Sequence, residues 1–343
     1  MKRLLNTLYL TRDGIYLNKE RETFKVMKDT KTLMKVPVGT INQIICIGSV
    51  TLTPPVMAFC VDQGVSVVYL SEYGRFQVRL EGPTSGNILL RRRQYAIAQE
   101  PNTALDVSRS FVLGKLVNAK RVLSRALADH GDRLDQGAFT TTLQRYREAR
   151  QQVLQTDNLD SLRGIEGELA KRYFALFDQM ILNNKEDFYF KGRSRRPPLD
   201  RINALLSFLY ALLLADCRAA LEGVGLDSAA GYLHQDRPGR PGLALDLMEE
   251  FRPLLADRLA LSLVNRSQVN ADDFTLQSAG AVLLNDSGRR KVVAAYQERK
   301  TTDITHPFLN EKFAQGLLPH AQALLLARYI RGDLDAYPPY YWK

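Results

Sequence analysis

Cysteine is scarce. Cys46, Cys60 and Cys217 are the only three in 343 residues, and no Cys-x-x-Cys pair occurs. A thiolate zinc module and a dithiol redox motif are thereby excluded, and each cysteine, set among apolar neighbours, reads as core. Long apolar runs are missing too: no stretch of about 18 consecutive apolar residues is free of charge, so no membrane span is expected. The opening segment is interrupted by charge too soon for a secretory signal, and a cytoplasmic protein is the expectation. No Gly-x-x-x-x-Gly-Lys-Ser/Thr loop, His-Glu-x-x-His or Gly-x-Ser-x-Gly occurs. Nucleotide hydrolysis, zinc proteolysis and serine esterase chemistry therefore lack their usual fingerprints. Gly223 and Gly225 follow no strand and read as a helix stop, and no internal repeat is evident.

What is present divides in two. Residues 15–17, 23–26, 33–36, 65–69 and 76–80, with longer runs at 4–10 and 41–47, are β-branched or alternating and bounded by turn residues. Asp13-Gly14 carries a hairpin signal, and Thr53-Pro54-Pro55 opens one helix that ends near Gly64. A turn-rich link follows at 83–86, and beyond it helical spacing dominates: 87–100, 104–129, 138–154, 161–182, 200–222, 243–265, 287–300 and 310–331. The expectation is an α+β chain, with a β domain at 1–82 holding one tucked helix and a mainly helical domain at 87–343. The aromatic, proline-rich tail from Asp335 is expected to dock on its own domain.

Charge favours a polyanionic partner. The net charge is +10, and residues 91–150 carry twelve Lys/Arg against six Asp/Glu, starting with Arg91-Arg92-Arg93. A basic helical surface neutralises phosphates without reading sequence, although a charged run equally describes a solvated face. A second basic loop ends in Arg195 and Arg196, and its Gly and Ser suggest mobility.

Chemistry is best placed where histidine and carboxylates meet. His234 precedes a loop stiffened by Pro238 and Pro241 that carries Arg237 and Arg240, two candidate phosphate clamps. In the helix that follows, Leu247, Met248, Phe251, Leu254 and Leu255 form the core stripe. Asp246 and Glu249 project from the opposite side, and Glu250 sits on the flank. On the helix containing Gly164-Ile165-Glu166-Gly167, Glu166 falls inside an apolar face and needs a positive partner, an arginine or a metal ion. One Glu, one His and one or two further acids make a mixed oxygen and nitrogen site suited to Mg²⁺ or Mn²⁺ acting on phosphates, whereas zinc would want more nitrogen or sulfur. His130, His306 and His320 are poorer ligands, and His306 is taken as structural.

Taken together, Gly164-Ile165-Glu166-Gly167 with Tyr173, His234, Asp246 and Glu249 before Phe251-Arg252-Pro253, Asn265-Arg266, Asp273-Phe274, Arg289-Arg290-Lys291, Tyr296, Lys300 and His306-Pro307 carry a resemblance. The chain resembles the CRISPR-associated adaptation integrases, most of all the subtype I-C version, collinearly over essentially its whole length. The resemblance implies that Glu166, His234 and Glu249 bind the divalent metal, Mg²⁺ or Mn²⁺, and that Asp246 is tied to activity. Some members carry Asp where this chain has Glu249. It also implies a homodimer, a β domain that forms the dimer contact and helps hold DNA, and a dimer of a small ferredoxin-like companion. The implied reaction is attack by the 3′-OH of a captured double-stranded DNA fragment on a phosphodiester at the border of a CRISPR repeat. Two rival readings remain: a general metal-dependent nuclease for branched repair intermediates, and a non-catalytic DNA-binding scaffold.

Overall fold

The computed structural model describes residues 7–71, 76–82, 87–278 and 280–342. The first three positions of the strand expected over 4–10, and the whole link at 83–86, lie outside the described residues. In chain order the first strands are β1 (Thr7–Leu10), β2 (Ile15–Glu20), β3 (Thr23–Lys28), β4 (Lys31–Pro37), β5 (Gln43–Ile47) and β6 (Val50–Leu52); helix α1 (Pro54–Asp62) precedes β7 (Ser66–Leu70) and β8 (Phe76–Leu80). They make two four-stranded sheets. One has the order β1-β5-β7-β8, its first three strands parallel, and the other β4-β3-β2-β6.

Asp13-Gly14 does not close a hairpin, because β1 and β2 belong to different sheets. Gly14 at φ 75°, with Asp13 Oδ1 accepting from Ser49 N at 2.8 Å, carries the chain from one sheet to the other. The true hairpins, β2-β3 and β3-β4, turn through Arg21 (φ 51°) and Asp29 (φ 53°). Neither turn contains glycine, so the usual signal is missing.

Every residue of β5 is buried, because its sheet has a core on each side. Ile44 and Cys46 face a small core with Leu17, Phe24, Val56 and Cys60, while Ile45 and Ile47 face the helical core. A strand covered on both faces reads as a continuous apolar run, which is how 41–47 reads.

The helices are α2 (Ile88–Gln99), α3 (Pro101–His130), α4 (Gln136–Gln155), α5 (Leu159–Phe177), α6 (Arg201–Gly223), α7 (Gly242–Glu249), α8 (Arg258–Asn265), α9 (Asp286–Thr301) and α10 (Leu318–Arg331). By length and composition α6 could cross a membrane, which the count of apolar runs did not anticipate, but it serves as a core helix against α7 and α10. Two short antiparallel pairs join the helices: β9 (Phe274–Leu276) with β10 (Val282–Leu284), and β11 (Asp303–Thr305) with β12 (Lys312–Ala314). The second pair takes up the start of the helix expected from Asn310, which begins at Leu318 instead.

The helix expected over 243–265 is broken. α7 ends at Glu249, a π-helical turn spans Arg252–Asp257, and α8 resumes at Arg258. Pro253 has no N–H for the Glu249 carbonyl, and its ring displaces the chain from an ordinary α course.

The tail docks on its own chain. Trp342 N donates to Asn118 Oδ1 at 2.7 Å, Asn118 Nδ2 donates to Tyr340 O at 3.0 Å, and Tyr337 and Tyr340 are buried. All three cysteines are buried and unpaired, and burial pushes the Cys46 and Cys60 thiols up to about 12.

Candidate active site

Three elements converge on one pocket. α5 brings Glu166, the loop after α6 brings His234, and the last residue of α7 is Glu249. The loop is held close by small residues. A Cβ at Gly231 would stand 2.6 Å from the Gly242 carbonyl carbon, and one at Gly242 would stand 2.7 Å from Ala229 O, so only glycine allows the loop to lie on the start of α7. α5 grips the same loop from the other side, where Arg163 Nε donates to Leu233 O at 2.7 Å one turn before Glu166. Gln94 of α2 supports it from below, donating to Asp227 O and Ala230 O.

Asp246 is fully buried, contrary to the outward position its helical spacing suggests. Its Oδ2 accepts from Tyr232 N at 2.6 Å and Leu233 N at 3.0 Å, and its Oδ1 from His234 N at 2.9 Å and His234 Nδ1 at 2.6 Å. A carboxylate only accepts, so Nδ1 carries a proton, and in the neutral ring Nε2 presents the lone pair. Asp246 therefore has no oxygen to spare for a ligand; it fixes the imidazole.

Glu249 is also buried, its side chain 5 % exposed. α7 is short and enclosed on most sides, so it has no solvated face to offer, and the wheel that put both acids outside assumed one long surface helix. Around Glu249 stand two cations to which the sequence alone gave no role. Lys115 of α3 has Nζ 2.7 Å from Glu249 Oε2 and pairs also with Glu166, while Arg252 Nη2 is 3.1 Å from Glu249 Oε1. His234 Nε2 lies 3.9 Å from that same Oε1. Burial opposes ionisation of Glu249, but Arg252, Lys115 and His234 outweigh it and hold the carboxyl down at about 2. Burial likewise works against the charged Lys115, and Glu249 and Glu166 reverse it, raising the ammonium's pKa.

The next residue behaves oppositely. Glu250, expected on the flank, is fully buried and accepts from Tyr337 OH, Gln322 Nε2 and Tyr340 N. With no cation beside it, burial pushes its carboxyl up to about 8 despite those neutral donors. Behind the pocket, Arg252 and Arg193 both lie against the Tyr210 ring, and Tyr210 OH donates to Asp257 Oδ1 at 2.6 Å.

Glu166, His234 and Glu249 are thus neighbours, with Lys115 Nζ between the two acids. Among the described residues no three His, Cys, Asp or Glu side chains close on one point as a metal would require. The donors nevertheless suit a hard cation once Lys115 moves aside. Glu249 Oε2 is buried, and what it meets there is the Lys115 ammonium. His234 Nε2 is turned toward that glutamate, and Glu166 is already engaged by the cation. Beside Glu166 the surface is clear, as a side chain at Gly164 or Gly167 would meet nothing within 4 Å.

The candidate DNA contacts are spread around this pocket. Arg92 and Arg93 are exposed on α2, with Arg93 paired to Glu100, and Arg91 is half-buried beside them. Arg195, Arg196 and Arg237 are exposed, and Arg240 is half-buried. No hydrogen bond or ion pair joins Arg92, Arg93, Arg195, Arg196, Arg237 or Arg240 to Glu166, His234, Asp246 or Glu249. The loop ending at Arg196 is not slack: Arg193 Nη1 and Ser194 N both donate to Asn203 Oδ1, and Asn203 Nδ2 returns to Gly192 O. A sequence signal for Lys115 did exist, a single lysine inside the apolar run from Phe111 to Val117. Arg252 had none beyond its nearness to Glu249.

The family profile described as CRISPR associated protein Cas1 matches residues 8–298. A curated relative, CRISPR-associated endonuclease Cas1 1 of Chlorobaculum tepidum, is 49% identical over 350 aligned residues, covering 100% of both chains. Among solved structures, a casposase bound to integration product superposes with TM-score 0.84 at 22% identity, covering 98% of this chain and 94% of that one. A Cas6-RT-Cas1–Cas2 complex superposes with TM-score 0.83 at 23% identity, covering 98% of this chain and 36% of that one. At such identities the two structures establish the shared fold, a β-rich N-terminal part followed by a larger helical one. With the profile spanning most of its length and that relative matched from end to end, the chain belongs to the Cas1 family of CRISPR-associated proteins.

Proposed function

We propose that this chain is the spacer-acquisition integrase of a CRISPR system, a DNA endonuclease and transesterase that joins the 3′-OH ends of captured double-stranded fragments to the repeat. The observation that carries this reading is the pocket where Glu166, His234 and Glu249 surround a position already occupied by positive charge. Its support from kinship is the end-to-end match to a relative named as an endonuclease. Subtype I-C is the finer placement, resting on the collinear motifs from Gly164-Ile165-Glu166-Gly167 to His306-Pro307.

Glu166, His234 Nε2 and Glu249 would hold a divalent ion, Mg²⁺ or Mn²⁺, in place of the Lys115 ammonium. Bound there, the ion supplies a Lewis acid that polarises the scissile phosphate and stabilises the departing oxygen. Asp246 keeps Nδ1 protonated and the imidazole aimed. Lys115 and Arg252 offer cationic donors to phosphate oxygens, and the clear face at Gly164 and Gly167 admits the strand beside Glu166. Arg91, Arg92, Arg93, Arg195, Arg196, Arg237 and Arg240 would hold the duplex by its backbone. The assembly we infer is a homodimer joined through the N-terminal β region, at work with a small ferredoxin-like companion dimer; one solved neighbour is a Cas6-RT-Cas1–Cas2 complex.

Labelled fragments with 3′-OH ends, incubated with supercoiled repeat DNA and Mg²⁺ or Mn²⁺, should be joined at repeat borders, more so with the companion present. Random nicking alone would leave a general nuclease. DNA binding without joining or cutting would leave a scaffold.

A further inference from the structure

Away from the catalytic pocket, a cavity of about 210 Å³ opens where the end of α3, the end of α8 and the C-terminal tail meet. Arg125, Arg258 and Arg266 line it with Trp342. Arg125 Cζ is 5.6 Å and Arg258 Cζ 4.8 Å from the Trp342 ring centroid. Arg299 of α9 is near enough to Arg258 and Arg266 to feel their charge, and its Nε and Nη2 are buried without a hydrogen-bond partner. Among the described residues none of these four guanidinium groups makes an ion pair or a side-chain hydrogen bond, unlike Lys115 and Arg252. Asp129, also on the wall, is the one acid among the described residues that line the cavity. Burial and then mutual repulsion lower the pKa of both Arg258 and Arg299.

Arg125 and Arg266 reach solvent while Arg258 and Arg299 are half-buried, and for that half-buried pair the mutual repulsion costs free energy that an anion would offset. The volume is below that of an ordinary small-molecule pocket and suits a phosphate group. Guanidinium forks match phosphate oxygens two at a time, and two of these are held in place by the indole. We propose that this cavity is a second phosphate-binding site, taking a phosphodiester of bound DNA about 15 Å from the catalytic pocket, the rise of α3 from Lys115 to Arg125. This rests on the reading of the chain as a DNA-joining enzyme.

The chain supplies its own probe, since Trp342 is its single tryptophan. Duplex DNA titrated into the whole protein should change Trp342 emission saturably, half-complete at the DNA concentration that half-saturates binding measured by anisotropy. The double variant Arg258→Gln with Arg266→Gln should lose that change and bind more weakly, with the slope of log affinity against log salt shallower by about 1. The Arg258→Lys, Arg266→Lys pair should recover most of the slope, and a Tm that does not fall in either variant excludes misfolding. Emission that ignores DNA while binding and joining persist overturns the site and leaves the proposed function standing. A response to polyglutamate but not to DNA also overturns it, assigning the cavity to an acidic protein partner. If joining itself is absent, the functional reading fails first.

Discussion

Two pockets of this protein gather cations, and they differ in what answers them. Around Glu249 each positive group has an acid: Lys115 meets Glu166 and Glu249, and Arg252 meets Glu249. Around Trp342 stand Arg125 and Arg258, with Arg266 on the same wall, and Asp129 is the one acid among the described residues that line the cavity. The first pocket is complete without a ligand, so a cation entering it must displace one already there. The second is incomplete and calls for an anion. The same contrast runs between adjacent residues: cations pull Glu249 down to about 2, while Glu250, with neutral donors only, rises to about 8. Burial is common to both, and the partner decides the sign.

The sharpest way to break this contrast is to remove the acids. Glu249→Ala should lower joining by on the order of 10²–10³-fold and destabilise the fold by roughly 3–5 kcal/mol, because Arg252 stays buried without its acid and Lys115 keeps only Glu166. Strand-joining assays and denaturant melts read the two effects. Glu166→Ala should also lower Tm, because Lys115 loses one of its two acids.

Asp246→Asn should cost about 10–100-fold in joining or in metal affinity, since an amide can offer its N–H to Nδ1 and turn the wrong ring nitrogen outward. Lys115→Met removes the resident cation, and calorimetry with Mn²⁺ should show binding tighter by on the order of 10-fold. Unchanged affinity would mean that Lys115 does not compete for the position.

Glu250 gives a pH signature. Between 4.5, the ordinary value, and about 8 the folded protein keeps a proton that the unfolded chain has released. Glu250 therefore contributes stability that is full below the ordinary value and is lost as pH rises through about 8. Tm measured across that range should fall less steeply in Glu250→Gln. The smallest effect is expected at Gly164→Ala, which should stabilise α5 by about 0.5–1 kcal/mol and yet weaken joining if DNA passes over that face.

Much of this was legible in the sequence. Helical periodicity gave α3, α4, α5, α6 and α9 to within a few residues, because long amphipathic segments repeat their signal. The hairpins of three-residue strands did not show, since so short a run has no period to detect. The Glu166, His234 and Glu249 set was nameable from carboxylates and histidine at helical spacing together with the family resemblance. Its environment was not, because burial on a short helix and the arrival of Lys115 from 51 positions before Glu166 are tertiary facts. The wheel drawn for 243–265 placed Leu247, Met248, Phe251, Leu254 and Leu255 in the core, where they lie, but put Asp246 and Glu249 outside because it could not show that α7 is enclosed on most sides.

The central claim is that a divalent ion takes the position of the Lys115 ammonium. Anomalous diffraction from a Mn²⁺-soaked crystal tests it directly. The account predicts one peak touching Glu166, His234 Nε2 and Glu249, with Lys115 moved off both acids. Lys115 still bridging Glu166 and Glu249 in the presence of saturating Mn²⁺, with no peak beside His234, would contradict it.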